Sequence, residues 1–204
     1  MSGDDASRPA ALAVVDEIRL VSAAKRGDAA SFEALVDRYL GKAIGVAMGY
    51  VRNRDDAAEL AQDAFFNAWR ALAGFRDGEP FAPWFFTILR NACLTFLERR
   101  KKRRTISIHA SHDDDAPAWD LPDESARRPE DLVDAKHAHE AFCAALDNLT
   151  LAHREIIVLR HVQDLDYAEI AAVLDIPIGT VMSRLFHARR KLRDHLKAFV
   201  PSEP

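Results

Sequence analysis

Between Leu165 and Arg193 the chain carries the pattern that most restricts its fold: a short apolar helix, a proline-marked turn, and a longer basic helix. Asp166 stands at an N-cap position and Glu169 three residues later completes a capping-box pattern ahead of Ile170, Ala171, Val173 and Leu174. The first helix is expected to stop near Ile176, because Pro177 pushes the preceding residue out of the α region. Past Gly179, the apolar residues Val181, Leu185, Ala188 and Leu192 step by four, three and four, which makes them the buried stripe of a second helix. Met182, Ser183, Phe186, His187, Arg189, Arg190 and Arg193 fall off that stripe. From Ile178 to Lys197 there are six lysines and arginines against one acid, Asp194. A short helix, a sharp turn and a second helix with a polar, basic free face describe a DNA-reading helix-turn-helix. The alternative is an ordinary helical hairpin with a solvated basic face.

A net charge of −4 over 204 residues argues against a uniformly basic nucleic-acid coat, so the segregation of charge matters more than its total. About half of the residues are hydrophobic, enough for one or two small domains. The two cysteines, Cys93 and Cys143, have neither disulfide-framework nor Cys-x-x-Cys spacing and read as reduced, buried thiols. Residues Met1 to Val15 lack the basic flank of a secretory signal, and no apolar run reaches membrane-span length, so a cytoplasmic protein without membrane insertion is expected. His139 and Cys143 could share a helix face, but His137 points elsewhere, and two ligands do not close a zinc site. Phosphate loops, nucleophile elbows and metalloprotease motifs are missing from the sequence, so neither catalysis, metal nor cofactor is expected.

Taken in order, Met1 to Pro9 reads as disordered, and Leu12 to Ala24 as an amphipathic helix with Leu12, Val15, Ile18 and Val21 inward, stopped by Gly27. Asp28 or Ser31 caps the next helix, which runs on through Gly45 and Gly49 to Val51. Each of those glycines costs roughly 1 kcal/mol against alanine unless close helix contact explains it. Asp55 to Leu72 is the best-formed helix, with Ala58, Ala61, Phe65, Ala68, Trp69 and Leu72 inward and Asp55, Glu59, Gln62, Asp63 and Asn67 outward. Glycines and prolines break the chain from Gly74 to Pro83, and a helix follows from about Pro83 to Arg104. It ends in six consecutive cations, Arg99 to Arg104, placed to hold phosphates or simply solvated. Trp84, Phe85 and Phe86 invite base stacking, although Phe85 lies on the expected core stripe. Thr105 to Ala135 holds nine acids, two bases and three prolines, an acidic, flexible linker. Phe142, Leu146, Leu149, Ile156, Ile157 and Leu159 read as helices packing on the helix-turn-helix. The fold expected is all-α: two small helical domains, residues 16–104 and 136–200, joined by the linker 105–135.

Two separate motif sets resemble one family. Leu149-Thr150, Arg154, Leu159-Arg160, Leu165-Asp166-Tyr167, Glu169-Ile170-Ala171, Ile176-Pro177, Gly179-Thr180-Val181, Ser183-Arg184-Leu185 and Ala188-Arg189 resemble region 4 of bacterial sigma factors of the extracytoplasmic-function group. Asp164 and Asp175 stand where that group often has glycine, Thr150 where it often has proline, and Met182 and His187 where it often has basic residues. Glu59-Leu60-Ala61-Gln62-Asp63, Phe65 and Ala68-Trp69-Arg70 resemble the region 2 segment that grips the polymerase clamp. Phe75-Arg76, Trp84, Ile88, Arg90-Asn91 and Leu97 with the basic run resemble the minus-ten segment.

The resemblance implies an alternative sigma factor that binds core RNA polymerase and directs promoter-specific initiation. It also implies an anti-sigma partner, and a linker that threads into the polymerase channel. By position it implies polymerase contacts at Asp55, Glu59, Gln62 and Asp63. Minus-ten contacts fall at Phe75, Arg76, Phe81, Trp84, Arg90, Asn91, Arg99, Arg100, Lys101, Lys102 and Arg103. Minus-35 contacts fall at Thr180, Met182, Ser183, Arg184, Phe186, His187, Arg189 and Arg190. Two other readings stay open: a stand-alone helix-turn-helix regulator, which would usually need a dimer and a sensing domain, and a sigma-mimicking adaptor that captures an anti-sigma factor.

Overall fold

The computed structural model describes residues 7–106, 141–161 and 163–197. Among them no residue is in a strand. The elements are α1 (Ser7–Lys25), α2 (Ala29–Val51), α3 (Arg54–Ala71), a 3-10 turn at Leu72–Gly74 and α4 (Phe81–Ile106), then α5 (helical over residues 141–147), α6 (Leu151–His161), α7 (Tyr167–Leu174) and α8 (Ile178–Lys197). Most of the acidic segment, and with it His137 and His139, lies outside the described residues, as do residues 1–6.

Local chemistry sets the helix ends. α1 begins at Ser7, five residues before the expected start and inside the stretch read as disordered; Pro9 falls in its first turn, where a missing N–H has no intrahelical acceptor to lose. It stops in a Schellman motif: Asp28 N–H donates to Ala23 O and Gly27 N–H to Ala24 O, with Gly27 at φ +94°. Ile18 is exposed, contrary to the expected stripe, because Val21 and Ala24 supply the face that α2 covers. Arg52, left-handed at φ +59°, ends α2, and the Asn53 side chain caps α3 by accepting from Asp56 N–H at 3.0 Å. α4 starts two residues early, at Phe81, which leaves Pro83 in the first turn.

The core of the N-terminal half is aromatic. Phe81, Phe85 and Phe86 are fully enclosed between Tyr39 and Phe65, and the Phe65 and Phe85 rings stack at 4.4 Å. That enclosure rules out base stacking for Phe85 and Phe86, since each buried ring is worth about 1.5–3 kcal/mol in place. Trp69, expected inward, lies at the rim with Phe32 against it at 4.9 Å. Tyr39, whose hydroxyl donates to Glu17, has its ionisation pushed far up by burial and then by that carboxylate.

The C-terminal helices close on this core: α6 packs along α2, α7 against α4, and α8 across α6 and α7. Residues Gly45 to Val51 are all buried. Gly49 explains itself here, since a Cβ on it would lie 3.2 Å from Val158 Cγ2. The seam holds polar groups as well. Glu155 Oε1 accepts from Tyr50 O–H at 2.6 Å and from Arg90 Nε at 2.9 Å. Burial, then Glu155, pushes the Tyr50 phenol well up. Arg154 is buried and donates to the carbonyls of Gly49, Leu146, Asp147 and Leu149, so one guanidinium satisfies the C-terminal end of α5 and reaches α2. Arg52 pairs with Asp147 at 2.7 Å, and Gln163 Nε2 donates to Lys42 O. The two helical units expected from the sequence thus share one continuous core.

Candidate functional site

Both expected ends of the helix-turn-helix are present. Asp166 and Glu169 form the reciprocal capping box, with both hydrogen bonds at 2.8 Å. α7 ends two residues before Ile176 because Asp175 turns left-handed at φ +54°. Asp164 does the same at φ +56°. Aspartate is among the few non-glycine residues that adopt this conformation readily, which accounts for acids at positions suited to glycine. α7 and α8 meet at 99°, within the usual helix-turn-helix range.

Val181, Leu185, Ala188 and Leu192 are buried, as their spacing predicts. Met182, Ser183, Phe186, His187, Arg189 and Arg190 are exposed, and Thr180 and Arg184 are half-buried. Phe186 and His187 meet edge to face at 5.4 Å. Ser183 Oγ donates to Thr180 O. Arg189 Nε donates to His161 Nε2 at 3.1 Å, which requires that nitrogen unprotonated. Burial, then Arg189, lowers the His161 pKa; burial, then Lys191 and Arg184, lowers that of His153. Burial is the larger cause for both of these α6 histidines, and the neighbouring α8 cations add to it.

On α3, Asp55, Glu59, Gln62 and Asp63 are all exposed, as expected. Phe66 is 62% exposed with the Arg70 guanidinium 5.7 Å from its ring centre. Steps of three and four from Glu59 through Gln62 and Asp63 to Phe66 set the ring in the middle of that acidic face. The sequence reading passed over Phe66, although the same spacing contained the signal.

The minus-ten set divides. Arg76 and Asn91 are exposed, as are Arg99, Arg100, Lys101, Lys102 and Arg103, with Arg100 reaching back to Asp56 at 3.7 Å. Phe75 and Phe81 are instead 5% and 1% exposed, packed with half-buried Trp84 at 4.8 and 5.6 Å. They have no ring face left for a base, a correction to the expectation: they are the floor that shapes the loop. Lys25, also missed, pins that loop by donating to Phe75 O at 2.7 Å and Asp77 at 2.6 Å. Arg90 is turned inward to Glu155. A cavity of about 510 Å³ opens beside the loop between Arg76, Glu79 and Trp84, with Ala168, Glu169 and Ala172 of α7 as its far wall.

Residues 35–104 match the model for Sigma-70 region 2, and residues 139–192 that for Sigma-70, region 4. The ECF RNA polymerase sigma-E factor of Escherichia coli K12 is 30% identical over 185 residues, covering 89% of this chain and 94% of that protein. The chain belongs to the extracytoplasmic-function sigma factors. The RNA polymerase sigma-H factor of Pseudomonas aeruginosa is also 30% identical, over 85% of this chain and 90% of that relative. Among solved structures, the sigma factor RpoE of Bartonella quintana, in complex with the anti-sigma factor NepR, superposes with a TM-score of 0.67 at 26% identity, over 81% of this chain and 96% of that one. CnrH, solved with the cytosolic domain of CnrY, gives 0.64 at 26% identity, over 90% and 98%. In this sigma factor, then, α2 to α4 are region 2, and α5 to α8 lie in region 4. Among the described residues no group of three or more His, Cys, Asp or Glu could hold a metal ion, and no single helix is long and apolar enough to cross a membrane. Cys93 is buried, its thiol pushed up to about 12 by that burial.

Proposed function

We propose that this alternative sigma factor, working in the cytoplasm, grips core RNA polymerase with the exposed face of α3 and promoter DNA with α8 and the basic end of α4. The observation that carries this reading is the separation of surfaces. Asp55, Glu59, Asp63 and Phe66 make an acidic-aromatic patch on one helix, while the densest runs of exposed cations lie on α8 and at Arg99 to Arg103. The acidic patch repels phosphate and suits a basic protein groove, and the cations suit the DNA backbone. Arg76 in the loop and Asn91 farther along α4, both exposed, with Trp84 in support, would take the minus-ten strand, and Ser183, Phe186, His187 and Arg190 the minus-35 duplex. An anti-sigma factor is the expected negative partner, by likeness to RpoE and CnrH, both solved as complexes.

Run-off transcription with core polymerase tests the whole. Wild type should yield promoter-dependent transcripts, and the Glu59→Lys/Asp63→Lys double variant should remain folded yet lose co-elution with core. Promoter binding without any need for core would favour a stand-alone regulator. Failure to start transcripts with core would favour an adaptor.

A further inference from the structure

On α8, Ile178, Met182 and Phe186 recur every fourth residue and are 49%, 55% and 64% exposed. Large apolar groups in a row on an otherwise charged helix carry a solvation cost that folding does not repay, so they point to an occupant. Arg189, Arg190 and Arg193 follow them on the exposed surface of the same helix, and Arg184 lies half-buried between. An apolar strip continued along its helix by cations suits a DNA major groove, where thymine methyl groups lie on the floor and phosphates at the rims.

We propose that Met182, supported by Phe186 and Ile178, reads thymine C5-methyl groups in the minus-35 duplex. This deepens the DNA-reading role proposed for α8 and rests on it. The geometry fits that task. Eight residues of helix span about 12 Å, and base pairs rise about 3.4 Å, so the strip covers three to four pairs. It occupies the first turns of α8, the end of a recognition helix that contacts base edges. Met182 carries no hydrogen-bond donor and only a weakly accepting sulfur, and Phe186 carries neither donor nor acceptor, so apolar contact is the main readout open to them. The thioether is flexible enough to follow a methyl group, while the Phe186 ring is steadied by His187 beside it.

Replacing thymine by deoxyuridine deletes the methyl group and leaves every hydrogen-bonding group in place. Holoenzyme assembled from core polymerase and the full chain would first be used to enrich duplexes from a random-sequence library. Each thymine of the enriched upstream block would then be changed singly to deoxyuridine. Wild-type binding should fall about fourfold at one or more thymines within a three- to four-pair window, the fold-change equivalent to the ~0.8 kcal/mol of one buried methyl-sized group. Met182→Ala should bind the thymine and deoxyuridine forms within about twofold of each other, while still rejecting base-pair swaps elsewhere in the block. Deoxyuridine without effect at every thymine, or a penalty that persists in both Met182→Ala and Phe186→Ala, overturns the proposal. If both variants bind all duplexes like wild type, the strip faces a protein instead and the proposal is also overturned. Failure of wild-type holoenzyme to enrich any upstream block would refute the sigma-factor role itself, an outcome distinct from all of these.

Discussion

Replacing Glu155 by alanine tests whether the seam between region 2 and region 4 is specifically held or merely packed. The carboxylate is 6% exposed and takes two hydrogen bonds on one oxygen, from Tyr50 on α2 and Arg90 on α4. Removing it leaves a phenol in the core without its acceptor and a guanidinium without its counter-charge. Truncating one side of a buried ion pair costs about 3–5 kcal/mol. Arg90 keeps a quarter of its side chain in water, so part of that penalty is relieved by solvation, and a loss of about 3 kcal/mol is expected. Tyr50→Phe deletes only the hydroxyl and should cost about 1.5 kcal/mol, the lower end for a hydrogen bond to a charged group. In the double variant the phenol is already gone, so the two losses should overlap by about 1 kcal/mol. Urea unfolding of the four proteins, followed by circular dichroism, supplies the cycle. Strict additivity, or a Glu155→Ala loss below about 1 kcal/mol, would refute the view that these groups act as one unit.

Gly49→Ala should gain about 1 kcal/mol of helix propensity but lose more to the 3.2 Å contact with stiff, buried Val158, for a net loss of about 1 kcal/mol; in a Val158→Ala background the same change should become stabilising, again read from urea midpoints. His153 and His161 have folded pKa values below the ordinary 6.5, so the unfolded chain takes up their protons first as the solution is acidified. Stability from these groups should therefore be complete above pH 6.5 and decline as pH falls through 6.5 toward their folded values, and His153→Gln/His161→Gln should flatten the melting-temperature profile between pH 7.5 and 5.5.

Where the sequence could be read, one periodic face of a helix decided the matter. The stripe from Val181 to Leu192 and the Asp166–Glu169 box concern residues within a turn or two of each other, and the folded chain has both. Charge on an open helix face, as at Asp55 to Asp63, was equally legible because nothing else covers it. Reasoning from position in a family motif failed at Phe75 and Phe81, since a motif does not say whether an aromatic side chain faces solvent or the floor beneath it. Periodicity failed on α4, where α2, α3 and α7 cover more than one stripe and Phe86 is as enclosed as Phe85. A close helix contact at Gly49 was readable from the glycine itself, but its partner Val158 was not, nor was the pairing of Arg90 with Glu155. Each needs a partner far along the chain, and local spacing holds no record of it.

That distance gives the seam a kinetic character of its own. Tyr50 meets Glu155, and Gly49 meets Arg154, across a separation of 105 residues, whereas α1 to α4 are joined by connections of two to nine residues. Such contacts form only after a long loop has closed, so the region 2 bundle should assemble first and serve as the surface on which α6 docks. The closure cost grows only with the logarithm of loop length, and doubling the intervening chain adds roughly 0.6 kcal/mol. By that arithmetic a change in the length of chain between α4 and α5 alters the closure of the seam by only a fraction of a kcal/mol. A single methyl group added at position 49 would disturb it more.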